Sequence, residues 1–549
     1  MRVCDSTDAA MPRPDSHPRE VALLRVVSLS KHFDAELLFE RVDFTLNAGD
    51  RVGLVGPNGT GKSTLLRVLT GAERPTGGHV ALAPGRKLGY FAQQVPDPSV
   101  HVENFFRNAE LDRLTVRMRE LERQLATDAS VLDEYGLVQE RWLGAEGWTQ
   151  RVAEIRQRLD IAHLPGDAPL GRISGGEQAR LMLARVLLEE PDVLALDEPT
   201  NHLDADGIAW LGDYLRAFRG AILVATHDRA LLDRAVDRIV ELDGIHTEPQ
   251  WYEGGYTRYR EEKARRWQKL LLDHEAQDKF RRRLEADIAT TKEQARGVEN
   301  TIRSGMGADK LRRYAKKVAK KAKSRERRLT RQLTSTRWIA EPQTRPALTL
   351  AFDGAATIGD MLIAASKLTV RTLMTDLDLE IRGGDRLWVT GPNGSGKTTL
   401  LRVLNREIEP DAGTVTGDAV IAVLPQTHDD LRVNGTVLDF FRSRVPVYAD
   451  EAEALLDAHL FGPDEWGRRL RFLSVGELRR LLLAVMVNSG ADVLFLDEPT
   501  NYLDFEAIDV VEEALRAYKG TLVMVTHDAY FAANVGYTRT LTMAGPPER

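Results

Sequence analysis

Two octets of this 549-residue sequence place glycine, lysine and a hydroxyl residue at one spacing. The first is Gly56, Pro57, Asn58, Gly59, Thr60, Gly61, Lys62 and Ser63. The second is Gly391, Pro392, Asn393, Gly394, Ser395, Gly396, Lys397 and Thr398. Both fit G-x-x-x-x-G-K-[ST], in which glycines let backbone N–H groups wrap a chain of phosphates. The lysine neutralises the outer phosphates, and the hydroxyl binds Mg²⁺. Each octet follows an apolar run that reads as a strand. Each precedes a helix-forming run opening with Thr64 or Thr399, so a helix N-terminus adds positive potential to the same spot. The chemistry indicated is that of a nucleoside triphosphate such as ATP.

Each octet has partners downstream. "VLALDEPTNHLD" (193–204) returns as "VLFLDEPTNYLD" (493–504). Asp197 and Asp497 end apolar strands, where a carboxylate is costly unless it meets a cation. Glu198 and Glu498 follow directly and can orient or deprotonate an attacking water. His227 and His527 close the runs "LVATHD" and "VMVTHD". At matching positions in both copies, a terminal-phosphate contact explains them better than a strand cap does.

The elements that must position these groups occur twice. The octets lie 335 residues apart, Gln93 and Gln426 lie 333 apart, and Asp197 and Asp497 lie 300 apart. The first copy therefore carries 35 extra residues, nearly all between Gln93 and Ser174. Phe105, Leu111, Leu114, Met118, Leu121 and Leu125 recur there at helical spacing, which predicts an added helical arm over about 97–170. Within each copy, β-rich runs alternate with helical ones, the pattern of an α/β fold on a largely parallel sheet.

With "SGGEQ" at 174–178 and "SVGEL" at 474–478, the chain resembles the ATP-binding cassette superfamily. Its twin arrangement and its two "LDEPTN" motifs resemble the ABC-F subfamily, over roughly 21–545. The resemblance implies two P-loop cassettes in tandem, paired head to tail around two ATP molecules. Each ATP would touch the P-loop of one cassette and the signature loop of the other: Ser174, Gly175, Gly176 and Glu177, or Ser474, Gly476 and Glu477. Gln93 and Gln426 resemble the Q-loop glutamines that join Ser63, Asp197, Thr398 and Asp497 around Mg²⁺. Asp204 and Asp504 resemble the D-loop aspartates, and Phe33 the aromatic that stacks on adenine. Two departures stand out. Val475 replaces a signature glycine, restricting the backbone and adding bulk. Counting back from Gly384 places Leu368 where the second cassette would carry its adenine ring.

Between the copies, residues 258–337 hold 26 Lys and Arg against 11 Asp and Glu, although the whole chain is at −7. Leu284, Ile288, Thr291, Ala295, Val298 and Ile302 form one heptad-like seam. Leu311, Ala315, Val318, Ala322, Arg325 and Leu329 form another. With "SGMGAD" (304–309) as a turn, 250–345 reads as an antiparallel α-helical hairpin linker. The domains expected are a disordered tail at 1–20, cassette 1 at 21–249, this linker, and cassette 2 at 346–549. Residues 310–331 hold twelve bases and one acid. Like charges at i,i+4, such as Lys316 and Lys320, repel unless a polyanion is near. Arg303, Lys310, Arg312, Arg313, Lys316, Lys317, Lys320 and Lys321 are therefore candidate RNA contacts. Their charge suits structured RNA better than base stacking. The resemblance implies a ribosome partner, with this linker in the E site against rRNA, the P-site tRNA and the peptidyl-transferase region. It implies antibiotic resistance or translation regulation.

The single cysteine, Cys4, excludes a disulfide framework and zinc or iron–sulfur types of DNA-repair ATPase. No apolar run reaches the ~20 residues of a membrane span, and the N-terminus has no signal-peptide core. A cytoplasmic monomer with intramolecular cassette pairing is the expectation. The alternative is a twin-cassette transporter subunit with a separate membrane partner, which would not need a polybasic linker. The two departures predict unequal nucleotide affinities. Titrating the Lys62→Ala and Lys397→Ala variants with ATP is expected to give different dissociation constants, and equal constants would overturn that prediction of unequal affinity.

Overall fold

The computed structural model describes residues 22–33, 36–91, 97–125, 128–173, 175–201, 203–246, 248–303, 308–333, 350, 352, 359–370, 373–426 and 434–544. The N-terminal tail, Gln93, Ser174 and most of the expected linker turn lie outside them. By its contacts the chain divides into two compact units, Met1–Tyr256 with Leu348–Arg549, and Thr257–Ala347.

The first unit holds both cassettes. In cassette 1 a six-stranded sheet runs, in spatial order, Leu88–Phe91, Val193–Asp197, Ala221–Ala225, Arg51–Val55, Arg238–Glu241 and Gln250–Glu253. The first five are parallel and the last is antiparallel. Arg51–Val55, Val193–Asp197 and Ala221–Ala225 are buried at every residue, as strands covered on both faces must be. Cassette 2 repeats the plan with five parallel strands, Ile421–Leu424, Val493–Asp497, Thr521–Val525, Arg386–Thr390 and Arg539–Thr542. Each cassette adds a three-stranded antiparallel sheet. In cassette 1 its Leu24, Val26 and Leu29 share one core with Leu54, Leu65 and Val193. The core thus sits between the two sheets and holds the helix after the P-loop in place.

The first strand of the antiparallel sheet corrects the count that led to Leu368. The Ser28 N–H donates to Asp43, and the Lys367 N–H donates to Asp378, each at 2.8 Å. Both Ser28 and Lys367 have positive φ. Thr76 donates to the Ser30 carbonyl, and Asp411 to that of Thr369. The hairpin of cassette 2 is therefore four residues shorter. Leu368 is the counterpart of Leu29, and both are completely buried. Lys31 pairs with Phe39 where Val370 pairs with Met374, so Phe33 falls in the shortened tip, and Arg371, Thr372 and Leu373 carry no ring.

The extra residues of cassette 1 form helices Ala109–Leu125 and Leu132–Arg158. They are joined by Arg117 to Glu134 at 2.6 Å and by Trp142 Nε1 donating to Thr115 at 2.9 Å. Cassette 2 has the shorter Val437–Arg444 and Ala449–Ala458 in the corresponding stretch.

The second unit contains the rest of a 48-residue helix, Tyr256–Arg303, and a 26-residue helix, Ala308–Leu333. Seam residues Ile288, Thr291 and Ala322 are buried. Arg325 reaches Asp287 at 2.5 Å and Lys292 reaches Glu326 at 2.8 Å, so the helices meet here. Arg313, Lys316, Lys317, Lys320 and Lys321 are exposed; the side chains of Arg303, Lys310 and Arg312 lie outside the description. Among the described residues no helix is long and apolar enough to cross a membrane.

Candidate functional site: two loops closed by opposite cassettes

Each glycine-rich loop leaves a buried strand and turns at a glycine. Gly56 has φ 146°, and a Cβ there would lie 2.2 Å from the Leu242 carbonyl oxygen; at Gly391, φ 145°, a Cβ would lie 2.5 Å from that of Met543. Helices Lys62–Leu69 and Lys397–Leu404 then begin at Gly61 and Gly396, both left-handed at φ 90°. Lys62 Nζ donates to the carbonyls of Gly56 (2.7 Å) and Pro57 (3.0 Å). Lys397 does the same to Gly391 (2.8 Å) and Pro392 (2.9 Å). Both lysines are 8% exposed, so each ammonium is held at the mouth of its loop. Gly59 and Gly394 also have positive φ, and the Thr60 hydroxyl donates to Pro57 at 2.9 Å. Ser395 is buried with an unpartnered Oγ.

The strand-end carboxylates stand beside the hydroxyls. Ser63 Oγ donates to Asp197 at 3.0 Å, and Thr398 bonds Asp497. Burial raises both aspartates from their ordinary value, which a cation would reverse. Among the described residues no cluster of three His, Cys, Asp or Glu side chains could hold a metal. A metal here must therefore share its shell with hydroxyl and phosphate oxygens. The unpartnered, buried Asp497 Oδ1 fits that demand. Gln426 is half-buried just beyond strand Ile421–Leu424.

Glu198 and Glu498 leave their strands at φ 45° and 47°. Non-glycine residues in that region store of order 1–3 kcal/mol. The bonds from their N–H groups to Ala225 (2.8 Å) and Val525 (2.9 Å) hold them there. Burial pushes Glu198 up to about 7 and Glu498 up to about 8. His227 Nε2 is 3.6 Å from Glu198, and His527 Nε2 is 3.4 Å from Glu498. Burial lowers His527 to about 4 and His227 well below its ordinary value. Both rings are therefore neutral at pH 7, and neither of the shielded ring nitrogens of half-buried His227 has a hydrogen-bond partner. An orphaned N–H acceptor pair beside a lysine, a carboxyl and a loop of amides fits a terminal phosphate.

The opposite cassette closes each loop. The Asn58 N–H donates to Asp504 and the Asn393 N–H to Asp204, each at 3.0 Å. Asp204 and Asp504 also cap helices Ala205–Ala217 and Phe505–Ala517 through Gly207 and Ala507. Gly476 lies so near Asn58 that a Cβ would stand 3.3 Å from its Nδ2, which brings the second signature loop to the first P-loop. Val475 is the first residue of helix Val475–Val487, which Ser474 and Glu477 cap reciprocally. Its backbone is thus helical, and of the two effects expected of it only bulk remains. The helix Gly175–Leu187 likewise starts in the first signature loop, and Glu177 meets His163 at 2.9 Å. Phe33 is 47% exposed with Lys31 4.8 Å over its ring.

Two supporting side chains were not singled out from the sequence. Arg479, completely buried, donates to the carbonyls of Pro425, Asp497 (3.2 Å) and Glu498 (2.5 Å). Its repeat partner is Ala179, which instead borders a small pocket with Leu183, Leu196, Leu203 and Trp210. Conversely, Tyr90 donates to Asp197 at 3.2 Å, where cassette 2 has Val423. The signal was a mismatch between the repeats rather than a motif.

A pair of phosphate loops, each completed by a carboxylate of the other half, defines a twin nucleotide-binding cassette. Comparison with known proteins agrees. The family profile described as ABC transporter matches residues 39–201 and 374–501. The chain is 35% identical over 530 residues to the tylosin resistance ATP-binding protein TlrC of Streptomyces fradiae, covering 92% of this chain and 94% of that one. It is 32% identical over 519 residues to the energy-dependent translational throttle protein EttA of Mycobacterium tuberculosis, covering 90% and 87%. Among solved structures, the archaeal ribosome recycling factor aABCE1, in complex with the stalk protein aP1, shares the fold. The TM-score is 0.56 at 20% identity, over 94% of this chain and 87% of that one. The chain belongs to the ABC-F subfamily of the ATP-binding cassette proteins.

Arg479 generates a prediction. Arg479→Leu leaves three buried carbonyls without their donor, a cost of about 1–3 kcal/mol. In a Lys62→Ala background, turnover at the Lys397 site is expected to fall about tenfold, with a smaller change in KM. A turnover unchanged in protein that melts normally would show that the guanidinium only fills space.

Proposed function

We propose that this protein is an ATP-hydrolysing switch that binds the ribosome. The observation that carries the reading is the reciprocal contact of Asn58 with Asp504 and Asn393 with Asp204. It makes cassette pairing and nucleotide binding a single event. Lys62 and Lys397 turn from their own loop carbonyls to the β- and γ-phosphates, which the helix N-termini also attract. Phe33 stacks on adenine at the first site. Mg²⁺, held by Ser63, Asp197 and Gln93 or by Thr398, Asp497 and Gln426, would neutralise phosphate charge. Glu198 and Glu498, poised near neutrality, take the proton of the attacking water. The neutral imidazoles of His227 and His527 donate to the γ-phosphate. Loss of that phosphate frees the pair to open.

The exposed lysines of helix Ala308–Leu333 supply the target. Arg313, Lys316, Lys317, Lys320 and Lys321 present a dense positive surface suited to phosphates of structured RNA. Relatives named for tylosin resistance and for translational throttling support a ribosomal target. In this reading the monomer enters the E site when both cassettes hold ATP. The linker acts on the P-site tRNA and the peptidyl-transferase region, for ribosome protection or translation control.

Glu198→Gln combined with Glu498→Gln is expected to trap the protein on ribosomes in ATP, so that both pellet through sucrose; a soluble trapped variant counts against the ribosome. Lys316, Lys317, Lys320 and Lys321 changed together to Glu are expected to retain basal ATPase activity and lose salt-sensitive ribosome binding. Binding that survives the four changes makes the helix a solvated spacer.

A further inference from the structure

The two repeats diverge along one side of the cassette interface. Arg229 of cassette 1 is 2% exposed, and its Nη1 donates to Glu512 of cassette 2 at 2.6 Å. Asp509 lies 3.9 Å from Nη2. Glu512 is 4% exposed and also accepts from Asn534 at 2.9 Å. The guanidinium stands 5.5 Å over the ring of Tyr256. Tyr256 packs on Phe505 at 4.8 Å, and Phe505 meets His227 edge-on at 5.4 Å. Tyr530 closes the group, 6.4 Å from Tyr256 and donating to Asp233 at 3.0 Å.

The twofold-related positions cannot repeat this. Three hundred residues away, Arg229 corresponds to Ala529, Glu512 to Gly212, Asp509 to Ala209, Phe505 to Ala205 and Tyr530 to Ala230. The buried ion pair and its aromatic bracket therefore exist at one nucleotide site and have no chemistry to exist at the other. They also touch both flanks of that site. Arg229 follows His227 by two residues, and Phe505 follows Asp504, which accepts from Asn58 of the Lys62 loop. Opening this site must separate Arg229 from Glu512 and leave each charge without the partner that offsets its burial. Such pairs act chiefly on dissociation rates.

We propose that Arg229 and Glu512, bracketed by Tyr256 and Phe505, form a one-sided latch that holds the Lys62 site shut, so that this site releases nucleotide more slowly than the Lys397 site. Arg229 acts as a positioning residue, through His227 and through the helix carrying Asp504. The proposal rests on the ATP reading above and deepens it by giving the two sites an order of opening.

The test is release of a fluorescent, non-hydrolysable ATP analogue from the full chain, followed by chase with unlabelled ATP. In a Lys397→Ala background, which leaves the Lys62 site, Arg229→Met is expected to speed release about tenfold or more. In a Lys62→Ala background the same change is expected to alter release less than about twofold. The exchanged pair, Arg229→Glu with Glu512→Arg, is expected to recover most of the slow rate at the Lys62 site. Equal acceleration at both sites marks a general loss of packing and overturns the latch, as does no acceleration at either. If Arg229→Met does not fold, Glu512→Gln reads the same two rates with the Asn534 contact retained. A Lys397→Ala parent that binds no analogue overturns the ATP reading and the latch together. A parent that binds normally, with release unmoved by Arg229→Met, overturns the latch alone.

Discussion

Two backbone N–H groups, those of Asn58 and Asn393, each meet a carboxylate of the opposite cassette at 3.0 Å. Everything else in the site depends on that constraint. Each carboxylate already caps a helix, so while the contact holds, the P-loop of one cassette is tied to the D-loop of the other and to the helix behind it. A phosphate loop alone binds phosphate wherever a helix N-terminus and a lysine coincide. A phosphate loop whose rim is bonded to the other half of the molecule reports its occupancy to that half. The half-buried Glu198 and the buried Glu498 sit inside the same closure. Removal from water raises both carboxyls toward neutrality and lowers both histidines, which gives proton acceptors and neutral donors in one enclosed place.

Much of this was legible because the sequence repeats. Lys62 with Lys397, Asp197 with Asp497 and His227 with His527 stand at matching positions, and physics assigns each pair a role that one copy alone would leave open. The insert announced itself as a difference in spacing, and helices Ala109–Leu125 and Leu132–Arg158 occupy it. Ile288, Thr291 and Ala322 of the linker seams are buried, as a period of seven requires.

What stayed hidden was register and compensation. Counting from Gly384 takes the hairpins as equal in length, but cassette 2 is four residues shorter at the tip that carries Phe33, and Leu368 matches Leu29 instead. Positive φ at Ser28 and Lys367 marks the equivalence, but a serine and a lysine do not advertise a left-handed backbone in sequence. Arg479 and Tyr90 were invisible for another reason. Each supports an Asp, and its repeat partner, Ala179 or Val423, has no side chain that could do so, so neither belongs to a motif. A buried arginine also reads in sequence as one more surface charge.

The asymmetries act in opposite directions at the Lys62 site. Val475 puts bulk on the signature loop that faces Asn58, where a glycine would let phosphate approach more closely. Arg229 and Glu512 bind the two cassettes together beside that same site, with no counterpart at Ala529 and Gly212. On this reading one change weakens contact with nucleotide, and the other holds the protein closed around it. Affinity and residence time need not move together when closure rather than contact limits escape. An equilibrium titration or a single release rate therefore weighs Val475 and the latch jointly, whereas the change in release rate on removing Arg229 isolates the latch. Nothing about the two cassettes requires them to be equal. Their shared fold fixes the chemistry, and the residues on which they differ at the interface can set the order in which the two sites act.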